Sequence, residues 1–109
     1  MKKLTIFVNE EAVYDCDRDI TIGEQQLAFL DKMDSDMEQG IKIKGELINQ
    51  PDSHQRATFV AMNLIKALQQ DNDAAISASC AYLANRYPAL IEVHANDHEK
   101  MINIEFIKE

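Results

Sequence analysis

Residues 90–107 read LIEVHANDHEKMINIEFI, and the fold class follows from how this stretch is read. Ile91, Val93 and Ala95 alternate with Glu92 and His94, and Ile102, Ile104 and Phe106 alternate with Asn103 and Glu105. Successive strand side chains point to opposite faces, so a period of two gathers the apolar residues on one face of a sheet. Asn96-Asp97-His98-Glu99 supplies a polar turn between the two runs. The stretch therefore predicts a pair of antiparallel strands with one face that must be covered.

The cover comes from upstream. Residues 74–86 predict a helix rich in Ala and Ser, able to approach a neighbour closely, with Ile76, Cys80 and Leu83 inward. Pro88 stops it, because the residue before a proline is pushed out of the α region. Before it, Ala57, Val60, Ala61, Leu64, Ile65 and Leu68 recur at helical spacing up to about Gln70. Asp52 and Gln55, three residues apart, form a capping box at the start of that helix. Asp71-Asn72-Asp73 ends one helix and caps the next, a connection short enough for an antiparallel helical hairpin.

At the other end, Leu4, Ile6 and Val8 alternate with Thr5, Phe7 and Asn9, which predicts a strand over residues 3–9. A polar segment leads from there to Thr21-Ile22-Gly23-Glu24, a capping-box pattern that starts a helix near Ile22. Ile22, Phe29, Leu30, Met33 and Met37 fall on its apolar face, with Gln26 intruding; Glu24, Asp31, Asp34 and Glu38 fall on the other. Gly40 suits the position just past the helix, where φ is often positive. From Ile41 to Ile48 the alternation returns as a short strand with Lys42, Lys44 and Glu46 outward and Gly45 at a bulge, an irregular loop being the competing reading. The order β-α-(β)-α-α-β-β predicts one two-layer α+β domain over residues 1–109. Its three helices cover one face of a small, mostly antiparallel sheet of three to four strands.

Charge is distributed unevenly along this chain. Between residues 10 and 38 lie ten acids (Glu10, Glu11, Asp15, Asp17, Asp19, Glu24, Asp31, Asp34, Asp36 and Glu38) against Arg18 and Lys32. That segment accounts for the whole net charge of -8, and the remainder is neutral. A field of one sign repels nucleic acid and anionic lipid and attracts cations or a basic protein surface. No run approaches the roughly 18 apolar residues of a membrane span. The apolar run Leu4 to Val8 is too short for the core of a signal peptide. Cys16 and Cys80 form no C-x-x-C pair and read as two unpaired thiols, which points to a reducing, cytoplasmic setting. The chain is long enough to bury a core without disulfides.

Each chemical motif is incomplete. Asp15, Asp17 and Asp19 match the first ligand positions of an EF-hand loop, but the sixth position is Ile20 instead of Gly and the twelfth is Gln26 instead of Glu. A loop begun at Asp34 shows the same defects at Gln39 and Gly45. The D-x-D spacing also resembles the nucleophile loop of haloacid-dehalogenase-like phosphatases. That family needs a buried apolar strand before the motif, a lysine and further acids on a larger parallel sheet, which this chain does not offer. His94 and His98 would share a face only in a helix, and they lie in a strand and turn, so no zinc pair is expected. His54 reads as a surface residue. Flanking acids make Cys16 a poor nucleophile, and Cys80 reads as a small core residue. Arg56 is expected to pair with Asp52, and Arg86 to complement the end of its own helix.

One local rule is broken. Asp34, Asp36 and Glu38 crowd a helix C-terminus, where the macrodipole favours cations, and Asp34 with Glu38 is a like-charge pair at i,i+4. Such violations tend to mark functional sites, unless Lys42 and Lys44 fold back to neutralise the acids or the helix ends near Met33. The expectation is a small cytoplasmic binding or regulatory module, without enzymatic motif, metal or cofactor. It would meet a basic partner protein through residues 10–38, with Glu24, Asp31, Asp34, Asp36 and Glu38 as contact residues. A homodimer through the sheet edge or outer sheet face is compatible, using Phe7, Leu90, Met101 and Ile107. The alternative is a metal-dependent or enzymatic protein with the acidic cluster as cation ligands.

Overall fold

The computed structural model describes residues 3–17, 23–43, 45–98 and 101–108. Its elements are β1 (Lys3–Val8), β2 (Glu11–Asp17), α1 (Glu24–Glu38), β3 (Ile41–Ile43), β4 (Glu46–Ile48), α2 (Ser53–Gln69), α3 (Asp73–Arg86), β5 (Leu90–His98) and β6 (Met101–Lys108). The main sheet has the order β2-β1-β5-β6, antiparallel except for the parallel central pair β1 and β5. This is the α+β class expected from the strand and helix periodicities.

The inner face of the sheet carries Leu4, Ile6, Cys16, Val93 and Ala95, all buried, with Ile104 and Phe106 packed against that core. From the helices come Leu30 and Met37 of α1, Val60, Ala61, Leu64 and Ile65 of α2, and Ile76, Tyr82 and Leu83 of α3. The alternation that predicted the strands and the 3.6-residue spacing that predicted α2 and α3 meet in this one core. Asp52 caps α2 as expected: its carboxylate accepts from the Gln55 N–H at 2.8 Å, and Gln55 Oε1 accepts from the Asp52 N–H at 2.9 Å. Asn72 caps α3 by accepting from the Ala75 N–H at 3.2 Å.

Several expectations are corrected. The polar segment after β1 is itself a strand, β2, folded back through the two-residue turn Asn9-Glu10. Both turn residues have positive φ, 51° and 71°, the geometry that matches the twist of a tight hairpin. Residues 41–48 form a separate two-stranded hairpin, β3 with β4, and Gly45, at φ +81°, occupies the turn and not a bulge. Leu90 is buried, not on the outer face: the β5–β6 register shifts between Leu90 and Glu92, which turns Leu90 inward and leaves Ile91 half-buried. Phe29 is exposed, so the buried stripe of α1 narrows to Leu30 and Met37 with Met33 half-buried. Thr21 and Ile22, expected to cap and to start α1, lie outside the described residues; the helix begins at Glu24 after Gly23, and Gln26, not Glu24, closes the cap, its Oε1 accepting the Gly23 N–H at 3.2 Å. Gly40 has φ +121° just past the helix, as its position suggested.

The two cysteines are not free thiols. Cys16 and Cys80 are joined in a disulfide between β2 and α3, with Cα atoms 5.7 Å apart. Paired in this way, the two cysteines no longer point to a reducing compartment. Among the described residues no helix is long and apolar enough to cross a membrane.

Candidate functional site

On α1, Asp31, Asp34 and Glu38 are spaced three and four residues apart and so share one side of the helix. That side faces the open end of the α2–α3 hairpin. Because α2 and α3 run antiparallel, the first turn of α2 lies beside the last turn of α3, and this brings together Arg56 and Arg86, thirty residues apart in sequence. Tyr87 ties the same ends, its hydroxyl donating to the Ser53 carbonyl at 2.7 Å.

Asp34 is the hub of the cluster. Its Oδ1 accepts from the Tyr82 hydroxyl at 2.5 Å and from Arg56 Nη1 at 3.5 Å; its Oδ2 accepts from Arg86 Nε at 3.1 Å. Arg86 also reaches Asp31 through Nη2 at 2.7 Å, and its guanidinium lies 5.9 Å above the Tyr82 ring centroid. Arg56 reaches Glu38 at 3.6 Å and donates from Nε to the Pro51 carbonyl at 3.2 Å. Asp34 and both arginines are about a quarter exposed, whereas Asp31 and Glu38 are mostly in solvent. Coulombic attraction in the sheltered centre is screened less than at the rim, so the Asp34 contacts dominate the cluster. Burial, and next the Asp34 hydrogen bond, hold the Tyr82 phenol far above its ordinary ionisation range.

The crowding of acids at the end of α1 thus has a structural answer. The helix does not end early, since α1 runs to Glu38, and among the described residues the counter-charges are Arg56 and Arg86, with Lys42 making no ion pair there; Lys44 lies outside the described residues. Arg56 pairs with Asp34 and Glu38, not with Asp52 as expected, and Arg86 reaches across to α1 instead of serving its own helix end. With three donors from α2 and α3 directed at its two oxygens, Asp34 has the geometry of a helix clamp. Beside it, Ser35, Glu38, Gln39, Gln50 and Arg56 line a polar cleft of about 510 Å³.

The expected contact residues therefore divide into two groups. Asp31, Asp34 and Glu38 are gathered around the two arginines. Glu24 and Asp36 are exposed and have no ion pair among the described residues, and the same holds for Glu10 and Glu11 of the β1–β2 hairpin. Asp15 lies within a regular strand and accepts from the Thr5 hydroxyl at 2.9 Å, which does not resemble a cation-wrapping loop. Asp19 lies outside the described residues. His94 bonds Glu92 through Nε2 at 2.7 Å and stacks on Phe7, with ring centroids 4.4 Å apart. His54 is exposed as expected, edge-on to Phe106. No group of three or more metal-ligating side chains occurs among the described residues.

Sequence reasoning missed Tyr82, Arg56 and Arg86 as partners of the acids. The 31-34-38 stripe was legible; the identity of the helix face opposite it was not. Comparison with protein-family models, with curated proteins and with solved structures gives no match.

Proposed function

We propose that the protein is a small acidic binding or regulatory module that engages a basic surface on a partner protein, using acids of residues 10–38. Within that span the internal pairing narrows the contact set to Glu10 and Glu11 at the β1–β2 turn and Glu24 and Asp36 on α1. One observation carries the reading: these four carboxylates are exposed without an ion pair among the described residues, while Arg56 and Arg86 are directed at other acids of the same segment. Charge of one sign raises the encounter rate with an oppositely charged surface. Of the outer-face residues expected at a homodimer, Leu90 is inside and the Met101 side chain lies outside the described residues, which leaves Phe7 and Ile107 with the edges β2 and β6. A cytoplasmic setting belongs to the same proposal, and it entails a Cys16–Cys80 bond that cellular thiols can reduce.

The test separates location from total charge. A 15-residue peptide of alternating Lys and apolar residues, labelled for fluorescence anisotropy, is titrated with two variants of equal net charge. One carries Glu10→Gln, Glu11→Gln, Glu24→Gln and Asp36→Asn; the other carries Glu46→Gln, Asp71→Asn, Asp73→Asn and Glu105→Gln. The first is expected to bind about tenfold more weakly than the second at low salt. Equal affinities would reduce the effect to net charge and remove the assigned surface.

A further inference from the structure

Among the described residues, strand β2 is the outermost strand of the main sheet, bonded on one side only, to β1. Its residues from Glu11 to Asp15 are all exposed, and its ladder with β1 breaks register between Ile6 and Phe7. Among its described side chains, Cys16 alone is buried, 2% exposed, and Cys16 is the residue bonded to Cys80 on α3. The covalent bond is thus also the point at which this edge strand is fastened to the core. Segments with few buried contacts open locally at low cost, and an irregular edge ladder belongs to that class.

We infer that the Cys16–Cys80 disulfide is a redox-sensitive latch: closed, it holds β2 against α3, and reduced, it lets the edge strand open while the rest of the fold stays in place. The inference does not rest on the binding reading, although Glu11 of the proposed contact set is the first residue of β2. The chemistry is thiol–disulfide exchange with a low-molecular-weight thiol such as glutathione. A thiolate attacks one cysteine sulfur, the S–S bond breaks and a mixed disulfide forms. A second small thiolate then attacks the small-molecule sulfur of the mixed disulfide and the protein cysteine leaves as its thiolate, so that after protonation two protein thiols and one molecule of the oxidised small disulfide remain. Two electrons and two protons pass to the protein, and excess oxidised glutathione reverses the step. Both sulfurs are sheltered, so exchange proceeds through transient opening of β2, the strand whose opening the reduction then favours.

The experiment compares the full chain in its oxidised form, after reduction with dithiothreitol, and as Cys80→Ala. Alkylation followed by intact-mass measurement is expected to find no reactive thiol in the first and two in the second. Hydrogen exchange is expected to show β2 amides exchanging about tenfold faster in the reduced protein and in Cys80→Ala, with α2 and β5 remaining the more strongly protected segments. The melting temperature is expected to fall by about 15 °C on reduction, given the 64-residue separation of the two cysteines, and to recover with oxidised glutathione. Two alkylatable thiols in air-oxidised protein, or β2 exchange within twofold between the forms, would overturn the latch. So would unfolding of the entire domain in both the reduced protein and Cys80→Ala, since opening would then not be local.

Discussion

Replacing Asp34 by Asn removes one charge from the centre of the helix clamp at nearly constant volume, and the cost can be worked from the contacts. The carboxylate accepts at both oxygens, from Tyr82 and Arg56 on one and from Arg86 on the other. An amide can accept on one side only. Turned so that its oxygen meets Arg86, it presents NH₂ to the Tyr82 hydroxyl, which must rotate to accept, and Arg56 is left with Glu38 at the exposed rim. Hydrogen bonds to a charged group contribute about 1.5–3 kcal/mol and neutral ones about 0.5–1.5, so two weakened bonds in a sheltered site cost about 2 kcal/mol. The loss of one negative charge from a chain at -8 eases self-repulsion slightly and reduces this figure at low salt. Urea unfolding at neutral pH, with an unchanged m-value, is the assay. A double-mutant cycle with Tyr82→Phe is expected to give a coupling of about 1 kcal/mol, because the two side chains share a bond. Asp34→Asn within 0.5 kcal/mol of the wild type, or strictly additive behaviour with Tyr82→Phe, would refute the claim that Asp34 holds the three helices together.

The raised Tyr82 pKa gives a pH dependence of definite sign. The folded state keeps the phenol proton where the unfolded chain loses it, so this stability is complete below pH ~10 and declines above it by up to about 1.4 kcal/mol per pH unit. Tyr82→Phe should flatten that alkaline limb in a series of urea titrations; an unchanged limb would show that other groups produce it. Asp52→Ala removes the N-cap of α2, and thermal melting should report a loss of about 1 kcal/mol, whereas no change would mean that Gln55 suffices. Gly40→Ala should be worse than Gly45→Ala. Both have positive φ, but a Cβ at Gly40 meets Asn49 Oδ1 at 3.2 Å, while at Gly45 nothing lies within 4 Å. Chemical denaturation is expected to place the first at about 2 kcal/mol and the second at about 1. Equal costs would mean that the backbone angle alone matters.

The local signals in the sequence proved informative where one face of an element was consistently apolar. β1, β5, β6, α2 and α3 all have that property, and the Asp52–Gln55 and Asn72 caps sit where side-chain chemistry placed them. β2 escaped because its outward residues, Glu11, Asp15 and others, dominate the composition of an edge strand that buries little more than Cys16. The remaining clue was Asn9-Glu10, a turn whose positive φ angles Asn tolerates better than most residues. Leu90 was misplaced by one register shift, since a single extra residue moves a strand's side chains to the opposite face. The clamp and the disulfide could not be read from spacing at all. Asp34 meets Arg86 from 52 residues away and Cys16 meets Cys80 from 64, and only the packing of α3 against both α1 and β2 brings those pairs together.

The assignment of the contact surface is tested most directly by amide chemical shifts of the isotope-labelled protein during titration with the basic peptide. Shifts are expected to concentrate at Glu10, Glu11, Glu24 and Asp36 and to fade with added salt, while the side-chain signals of Arg56 and Arg86 stay where they are. Perturbation centred on Asp31, Asp34 and Glu38, with release of the two arginines, would contradict that assignment and return the binding role to the residues assigned here to the clamp.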